Sequence, residues 1–195
     1  MSESSVSHHW PFGDMRPLSA ELIVADPPWL FGLYSDKGEK KSPQAQYACM
    51  ALDDIKALPV GHLARSDCWL FLWVTAPLLP EGIETMRAWG FRYVTTVAWR
   101  KVTKNGKRAM GPGYVARSMH EIALVGAVGS PAYGPALPSI FDGVRREHSR
   151  KPNEFYELID RFAPQAWKVD LFSRESRPGW LTWGNQATKF DGAAA

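Results

Sequence analysis

Asp26-Pro27-Pro28-Trp29 is the stretch of this chain whose residue types and spacing could do chemistry. A carboxylate is followed by two residues that lack N–H donors and then by an indole. Because Pro28 has no N–H, the Pro27 carbonyl and the Asp26 carboxylate are both expected to accept from something outside the chain, on a loop that the prolines stiffen. Two acceptors beside an aromatic face suit one task, gripping a planar amine. An exocyclic amino group on a nucleobase is a poor nucleophile because its lone pair is conjugated into the ring. Acceptors that take its N–H groups draw the nitrogen toward tetrahedral geometry and stabilise the positive charge that develops there. Trp29, with Tyr47 further along, would hold the base by stacking, as enzymes acting on extruded bases do.

Such a loop needs a rigid support. Residues 22–25 are apolar without alternation, which reads as a strand covered on both faces, and Asp26 then sits at its carboxyl end, where ligands bind in open α/β sheets. Residues 68–74, 92–99, 120–126, 167–172 and 179–184 read as further strands. Helices are expected over 50–58, 77–90 and 153–162, the last with apolar positions 155, 158, 159 and 162 on one face. Residues 31–46 are polar and read as a mobile loop. Residues 129–138 read as a Pro/Gly-rich connection, and 100–117 as a second exposed loop with turn signals at Asn105-Gly106 and Gly111-Pro112-Gly113. Strands alternating with helices imply an α/β fold with a doubly wound, mostly parallel sheet.

Composition narrows the setting. A chain of 195 residues, 45% hydrophobic, can bury one sizeable core, so we expect one domain over 1–195, its core about 20–188 and its ends flexible. Cys49 and Cys68 are isolated, which indicates neither a disulfide framework nor a metal site and fits a reducing cytoplasm. The N-terminal stretch has no signal-peptide pattern, and no apolar run reaches membrane length. Net charge is +3, yet residues 90–120 hold seven basic side chains and no acidic one, so the remainder of the chain carries −4. That asymmetry points either to a polyanion or to a solvated basic loop; Lys101, Lys104, Lys107 and Arg108 are the candidates for meeting phosphates. Arg145, Arg146, His148 and Arg150 read either as phosphate contacts or as a charged approach to the helix at 153. Trp69, Trp73, Trp89 and Trp99 read as packing.

Other readings of a strand-end acid fail on what is missing. No Gly-x-x-x-x-Gly-Lys-Ser/Thr phosphate loop and no Gly-x-Ser-x-Gly elbow occur. Asp26-Pro27-Pro28-Trp29 resembles instead the motif of amino-group methyltransferases that use S-adenosylmethionine, specifically the MT-A70 family of adenine-N6 methyltransferases. Further segments fit in the same order. They are Tyr47 before a Met, Leu70 to Thr75, Glu121 with Leu124-Val125-Gly126, Lys151-Pro152 with Glu154, Leu171-Phe172 with Arg174, and Trp180 through Gly184-Asn185-Gln186.

The resemblance spans about residues 22–186 and implies a Rossmann-like methyltransferase of permuted strand order, in which the catalytic strand precedes the cofactor strand. It implies S-adenosylmethionine as cofactor and no metal. Asp26 would bond the target amine and, with Ala25, contact the cofactor's amino-acid end. Pro27, Pro28 and Trp29 complete the catalytic motif, and Trp29 and Tyr47 line the base pocket. Arg174, Asn185 and Gln186 would hold ribose and adenine, and His120, standing where the messenger-RNA enzymes have Lys, joins the cofactor set. Ser173 stands where the family commonly has Gly, and Glu175-Ser176-Arg177 replaces a His-containing stretch.

The implied function is methyl transfer to adenine N6 in nucleic acid, DNA in preference to RNA because the chain carries no added RNA-binding module. The alternatives are a non-catalytic nucleic-acid-binding subunit and methylation of cytosine N4 or a glutamine side chain. Sequence specificity would come from the loops, from a homodimer mate or from another subunit.

Overall fold

The computed structural model describes residues 10–30, 49–113, 115–147 and 150–192. Tyr47, the expected loop at 31–46, His148 and both extreme ends therefore lie outside the described residues.

Among the described residues, seven strands form one sheet in the order β5-β3-β4-β2-β1-β6-β7. They are β1 (Ala20–Ala25), β2 (Ala64–Val74), β3 (Arg92–Val102), β4 (His120–Val128), β5 (Ile140–Val144), β6 (Lys168–Leu171) and β7 (Trp180–Trp183). β1 is parallel to β2 and β6, β6 to β7, and β3 to β5, while β4 runs antiparallel to both of its neighbours. Only β4 is reversed, so the sheet is mostly parallel, and the first strand of the chain lies near its centre. The carboxyl ends of β1, β6 and β7 consequently sit side by side.

Among the described residues, three α-helices cover the two faces: α1 (Leu52–Ala57), α2 (Leu79–Ala88) and α3 (Asn153–Phe162). Alternate residues of β1 explain why its sequence shows no alternation. Ile23 and Ala25 pack with Leu70, Leu72 and Val74 under Ile55 of α1 and Met86 of α2. Leu22 and Val24 join Phe71, Trp73 and Trp99 under Phe155, Ile159 and Phe162 of α3. Strand residues one apart face opposite sides, so a strand buried on both must be apolar throughout. Trp69, Trp73, Trp89 and Trp99 are all buried in these two layers, as expected.

Several bounds differ from expectation. β2 begins at Ala64, and the helix expected from 77 splits into a 3-10 turn (Ala76–Leu78) followed by α2. β5 is a strand that the sequence reading did not anticipate. Its residues alternate between buried and exposed, and Asp142-Gly143 reads locally as a turn. Among the described residues, no helix is long and apolar enough to cross a membrane, and no group of His, Cys, Asp and Glu is arranged to hold a metal.

Candidate active site

The carboxyl ends of β1, β6 and β7 open on a cleft of about 350 Å3 lined by Asp26, Pro27, Pro28, Cys49, Met50, and residues 172–174 and 183–186. That size lies within the range of small-molecule sites. The backbone shapes it. Phe172, just past β6, adopts the left-handed conformation (φ +61°), uncommon for a bulky residue, and this turns Ser173 and Arg174 toward the cleft. Gly184, just past β7, has φ +150°, and a Cβ there would lie 2.9 Å from the Phe172 Cα. Only glycine lets the two strand ends approach so closely.

Asp26 continues the β1–β6 pairing, its N–H donating to the Leu171 carbonyl at 3.2 Å. Its side chain is one-fifth exposed, and Oδ2 accepts from Lys151 Nζ at 2.7 Å. Among the described residues, Oδ1 has no hydrogen-bond partner. Lys151 also reaches Glu121 Oε2 at 3.2 Å, and Glu121 Oε1 accepts from Lys101 at 2.5 Å. Four alternating charges from four separate segments thus form one row, Lys101–Glu121–Lys151–Asp26. Lys151 also lies 5.2 Å from the centroid of the Trp73 ring.

The row controls protonation. Burial disfavours the Lys151 ammonium, but the Asp26 and Glu121 carboxylates outweigh it and hold its pKa above the ordinary lysine range. Burial likewise disfavours the Glu121 carboxylate; Lys151 and Lys101 reverse this and bring it down to about 2. For Asp26 burial prevails, lifting the carboxyl above its usual range while Lys151 pulls the other way.

The prolines and Trp29 behave differently from expectation. The Pro27 carbonyl is not bare, because Trp29 N–H donates to it at 2.8 Å across a γ-turn. A carbonyl oxygen has two lone pairs, so one acceptor position is left. Nor is Trp29 an open stacking face. It is 5% exposed, packed in the core, with its indole N–H donating to the Trp73 carbonyl at 3.0 Å. Met50 N–H donates to the Pro28 carbonyl at 2.9 Å. Trp29 and Met50 therefore pin the turn that presents Asp26 and Pro27.

Of the residues expected around a cofactor, Arg174, Asn185 and Gln186 line the cleft with Asp26. Arg174 Nε donates to Gln186 Oε1 at 2.9 Å, and its Nη2 donates to the same oxygen. Ala25 is fully buried within β1. His120 is exposed, faces Arg100 across the ladder and does not line the cleft. Neighbours on a strand face opposite ways, so the position of β4 that turns toward Asp26 is Glu121.

The basic region is likewise divided. Lys101 is part-buried in the charge row, Arg100 is paired with Asp142 at 2.5 Å, and Arg117 donates to the Gly111 carbonyl at 2.7 Å. Lys104, Lys107 and Arg108 are exposed and make no ion pair among the described residues. They sit on a hairpin closed by Thr103 N–H to Lys107 carbonyl (2.8 Å) and Ala109 N–H to Lys101 carbonyl (2.9 Å).

Two groupings went unforeseen. Glu175 is a hub for Arg150 (2.6 Å), Arg177 (2.8 Å) and Arg146 (3.4 Å), so Arg146 and Arg150 are structural partners, while Arg145 is exposed. Below the cleft, Tyr156 Oη donates to Asp170 Oδ2 at 2.8 Å, beside a chamber of about 20 Å3. Burial raises the Asp170 carboxyl to about 7 against the Tyr156 and Ser173 hydrogen bonds and the Arg177 charge.

A model of the MT-A70 family matches residues 20–186, from the start of β1 to the last cleft residue. The chain belongs to the MT-A70 family. It is 32% identical over 170 residues to an N(6)-adenosine-methyltransferase MT-A70-like protein of Arabidopsis thaliana, covering 85% of this chain and 23% of that one. To the type II methyltransferase M.MunI of Mycoplasma sp it is 30% identical over 183 residues, 84% of this chain and 76% of that one. To the N(6)-adenosine-methyltransferase catalytic subunit METTL3 of Homo sapiens it is 29% identical over 189 residues, 91% and 31% respectively. The chain thus spans about a quarter of the length of the plant relative. MT-A70 methyltransferases draw their methyl group from S-adenosylmethionine, which makes it the donor of this MT-A70 domain. Glu121 and Lys151 complete the charge row at Asp26, and sequence reasoning gave neither a role. Their signal was membership in the ordered motif set.

Proposed function

We propose that this chain transfers a methyl group from S-adenosylmethionine to N6 of adenine in nucleic acid, with DNA the preferred class. One observation carries the reading: Lys151 fixes one oxygen of Asp26 and the other has no bond among the described residues, at the rim of a cleft beside a carbonyl with a spare lone pair.

The residues fit the donor. S-adenosylmethionine has a zwitterionic amino-acid end and a nucleoside end. Asp26 offers an acceptor for the ammonium of the first, and Arg174, Asn185 and Gln186 offer planar donors and acceptors for the second. When bound, it supplies an electrophilic methyl carbon. Asp26 Oδ1 and the Pro27 carbonyl accept the two N–H groups of the adenine amine, which frees the nitrogen lone pair. The proton shed by the product nitrogen passes to Asp26 Oδ1. Both acceptors stand fixed before substrate arrives, so they stabilise developing positive charge without reorganising.

Lys104, Lys107 and Arg108 serve phosphates, whereas Lys101 serves the charge row. Support for DNA is the likeness to the type II methyltransferase M.MunI, 30% identical over 183 residues. Two cysteines far apart in the sequence, Cys49 and Cys68, offer no disulfide framework and suit the cytoplasm.

The test incubates the chain with S-adenosylmethionine and adenine-containing duplex DNA, single-stranded DNA or RNA, followed by mass spectrometry of the released nucleosides. N6-methyldeoxyadenosine is the expected product. N4-methylcytosine would overturn the assignment of the base, and methylation of RNA alone would overturn the assignment of the nucleic acid.

A further inference from the structure

Residues 187–191, which follow the stretch matched by the family, fold back over the loop that follows β6. Three backbone bonds make the turn: Ala187 N–H to Gly184 carbonyl (3.2 Å), Lys189 N–H to Gln186 carbonyl (3.0 Å) and Asp191 N–H to Thr188 carbonyl (3.1 Å). Two contacts then close it on the loop. Phe190 N–H donates to the Arg174 carbonyl at 3.0 Å, and the Asp191 carboxylate accepts from Ser176 through both its backbone N–H (2.8 Å) and its hydroxyl.

Phe190 sits at the centre of this clasp. Its half-buried ring lies 4.9 Å from the Arg150 guanidinium and 5.8 Å from that of Arg174, within the range where a cation is attracted to an aromatic face. With Lys189 Nζ at 5.6 Å, three like charges share one ring. Arg150 is paired with Glu147 and Glu175, and Arg174, which lines the cleft, donates from Nε to Gln186 Oε1. A flexible arginine loses rotamer freedom when it binds, and a ring and an amide that hold it beforehand remove that cost.

We infer that Phe190 is a positioning residue for the cofactor, holding Arg174 and the Gln186 turn in the geometry that receives the nucleoside end. The inference rests on the placement of S-adenosylmethionine in this cleft. It assigns to a residue beyond the family stretch control over donor affinity and none over the chemical step.

The test titrates S-adenosylmethionine into the full chain by calorimetry, alongside steady-state kinetics and a thermal melt. It compares wild type with Phe190→Ala, Phe190→Leu and Phe190→Trp. Phe190→Ala should raise the Kd and KM for S-adenosylmethionine about tenfold, with kcat at saturating donor and KM for nucleic acid within about twofold of wild type. Phe190→Trp should restore donor affinity to within about twofold, and Phe190→Leu, which fills space without a π face, should behave like Ala. Leu binding as tightly as wild type would overturn the inference by reducing the ring to packing, as would an unchanged Ala variant. If Ala does not fold, the Leu and Trp variants decide alone. A wild-type chain that binds no S-adenosylmethionine would overturn the cofactor placement itself.

Discussion

Lys151 Nζ lies 2.7 Å from Asp26 Oδ2, although 125 positions separate the two residues in the chain. Lys151 stands immediately before α3 and Asp26 immediately after β1, so α3 packing on the sheet is what brings the pair together. The pairing makes Asp26 asymmetric. One oxygen is committed to the protein and the other is left for a substrate.

Removing the ammonium should therefore alter catalysis in a specific way. Lys151→Met keeps the length of the side chain but leaves Asp26 with burial and the Glu121 charge, both of which push its carboxyl further up. Asp26 must be ionised to accept the amine, so the acid limb of the kcat/KM profile should move to higher pH. Activity at pH 7 should fall about 10²-fold, the scale of a lost protonation control. Stability should fall by about 3 kcal/mol, since a buried carboxylate loses its partner. Identical pH profiles would contradict this role.

Asp170 provides a separate test by stability. Its carboxyl titrates at about 7 in the folded chain, well above the ordinary value of about 3.9. A raised folded pKa stabilises the fold below the unfolded value, and that contribution is lost as pH rises through the folded one. Asp170→Asn keeps the shape and an acceptor for Tyr156 but has no charge to bury. Its Tm should rise relative to wild type as pH goes from 4 to 7. A gap that stays constant across that window would refute the buried-proton assignment.

The basic hairpin divides into cations that meet phosphate and one that does not. Neutralising Lys104, Lys107 or Arg108 to Gln should each reduce the slope of log affinity against log salt by about one unit. Lys101→Gln should leave that slope unchanged and lower kcat instead, because Lys101 is held by Glu121. Fluorescence anisotropy with labelled DNA over a range of salt concentrations separates the two groups.

Trp29→Phe isolates the brace under the motif. The substitution keeps an aromatic in the core but leaves the Trp73 carbonyl without its indole donor. A buried acceptor left unsatisfied costs about 1–3 kcal/mol, which urea denaturation would show as a lower midpoint at unchanged m. A midpoint equal to wild type would show that the hydrogen bond does not hold the loop.

Local patterns made part of this molecule readable. β1, β2 and α3 declared themselves through continuous or periodic apolar residues, and Asp26 stood out because a carboxylate ends an apolar run. What depends on register could not be read. Glu121 pairs with Trp99 across the β3–β4 ladder, which places Lys101, two residues on, diagonally beside it and on the same face. Without that register, Lys101 looks like any other cation of a basic loop. His120 and Glu121 are adjacent in sequence and point to opposite sides, so choosing between them required knowing which face of β4 turns toward β1. β5 escaped because it is an edge strand with one exposed face and a turn-like Asp-Gly pair.

The central claim is that Asp26 Oδ1, aligned by Lys151, accepts the adenine amine during methyl transfer. The most direct measurement compares wild type with Asp26→Ala, reading N6-methyldeoxyadenosine formed in a DNA duplex by mass spectrometry and S-adenosylmethionine binding by calorimetry. The account predicts that product formation falls by at least about 10³-fold while donor affinity weakens by about tenfold or less. Undiminished methylation by Asp26→Ala would contradict it.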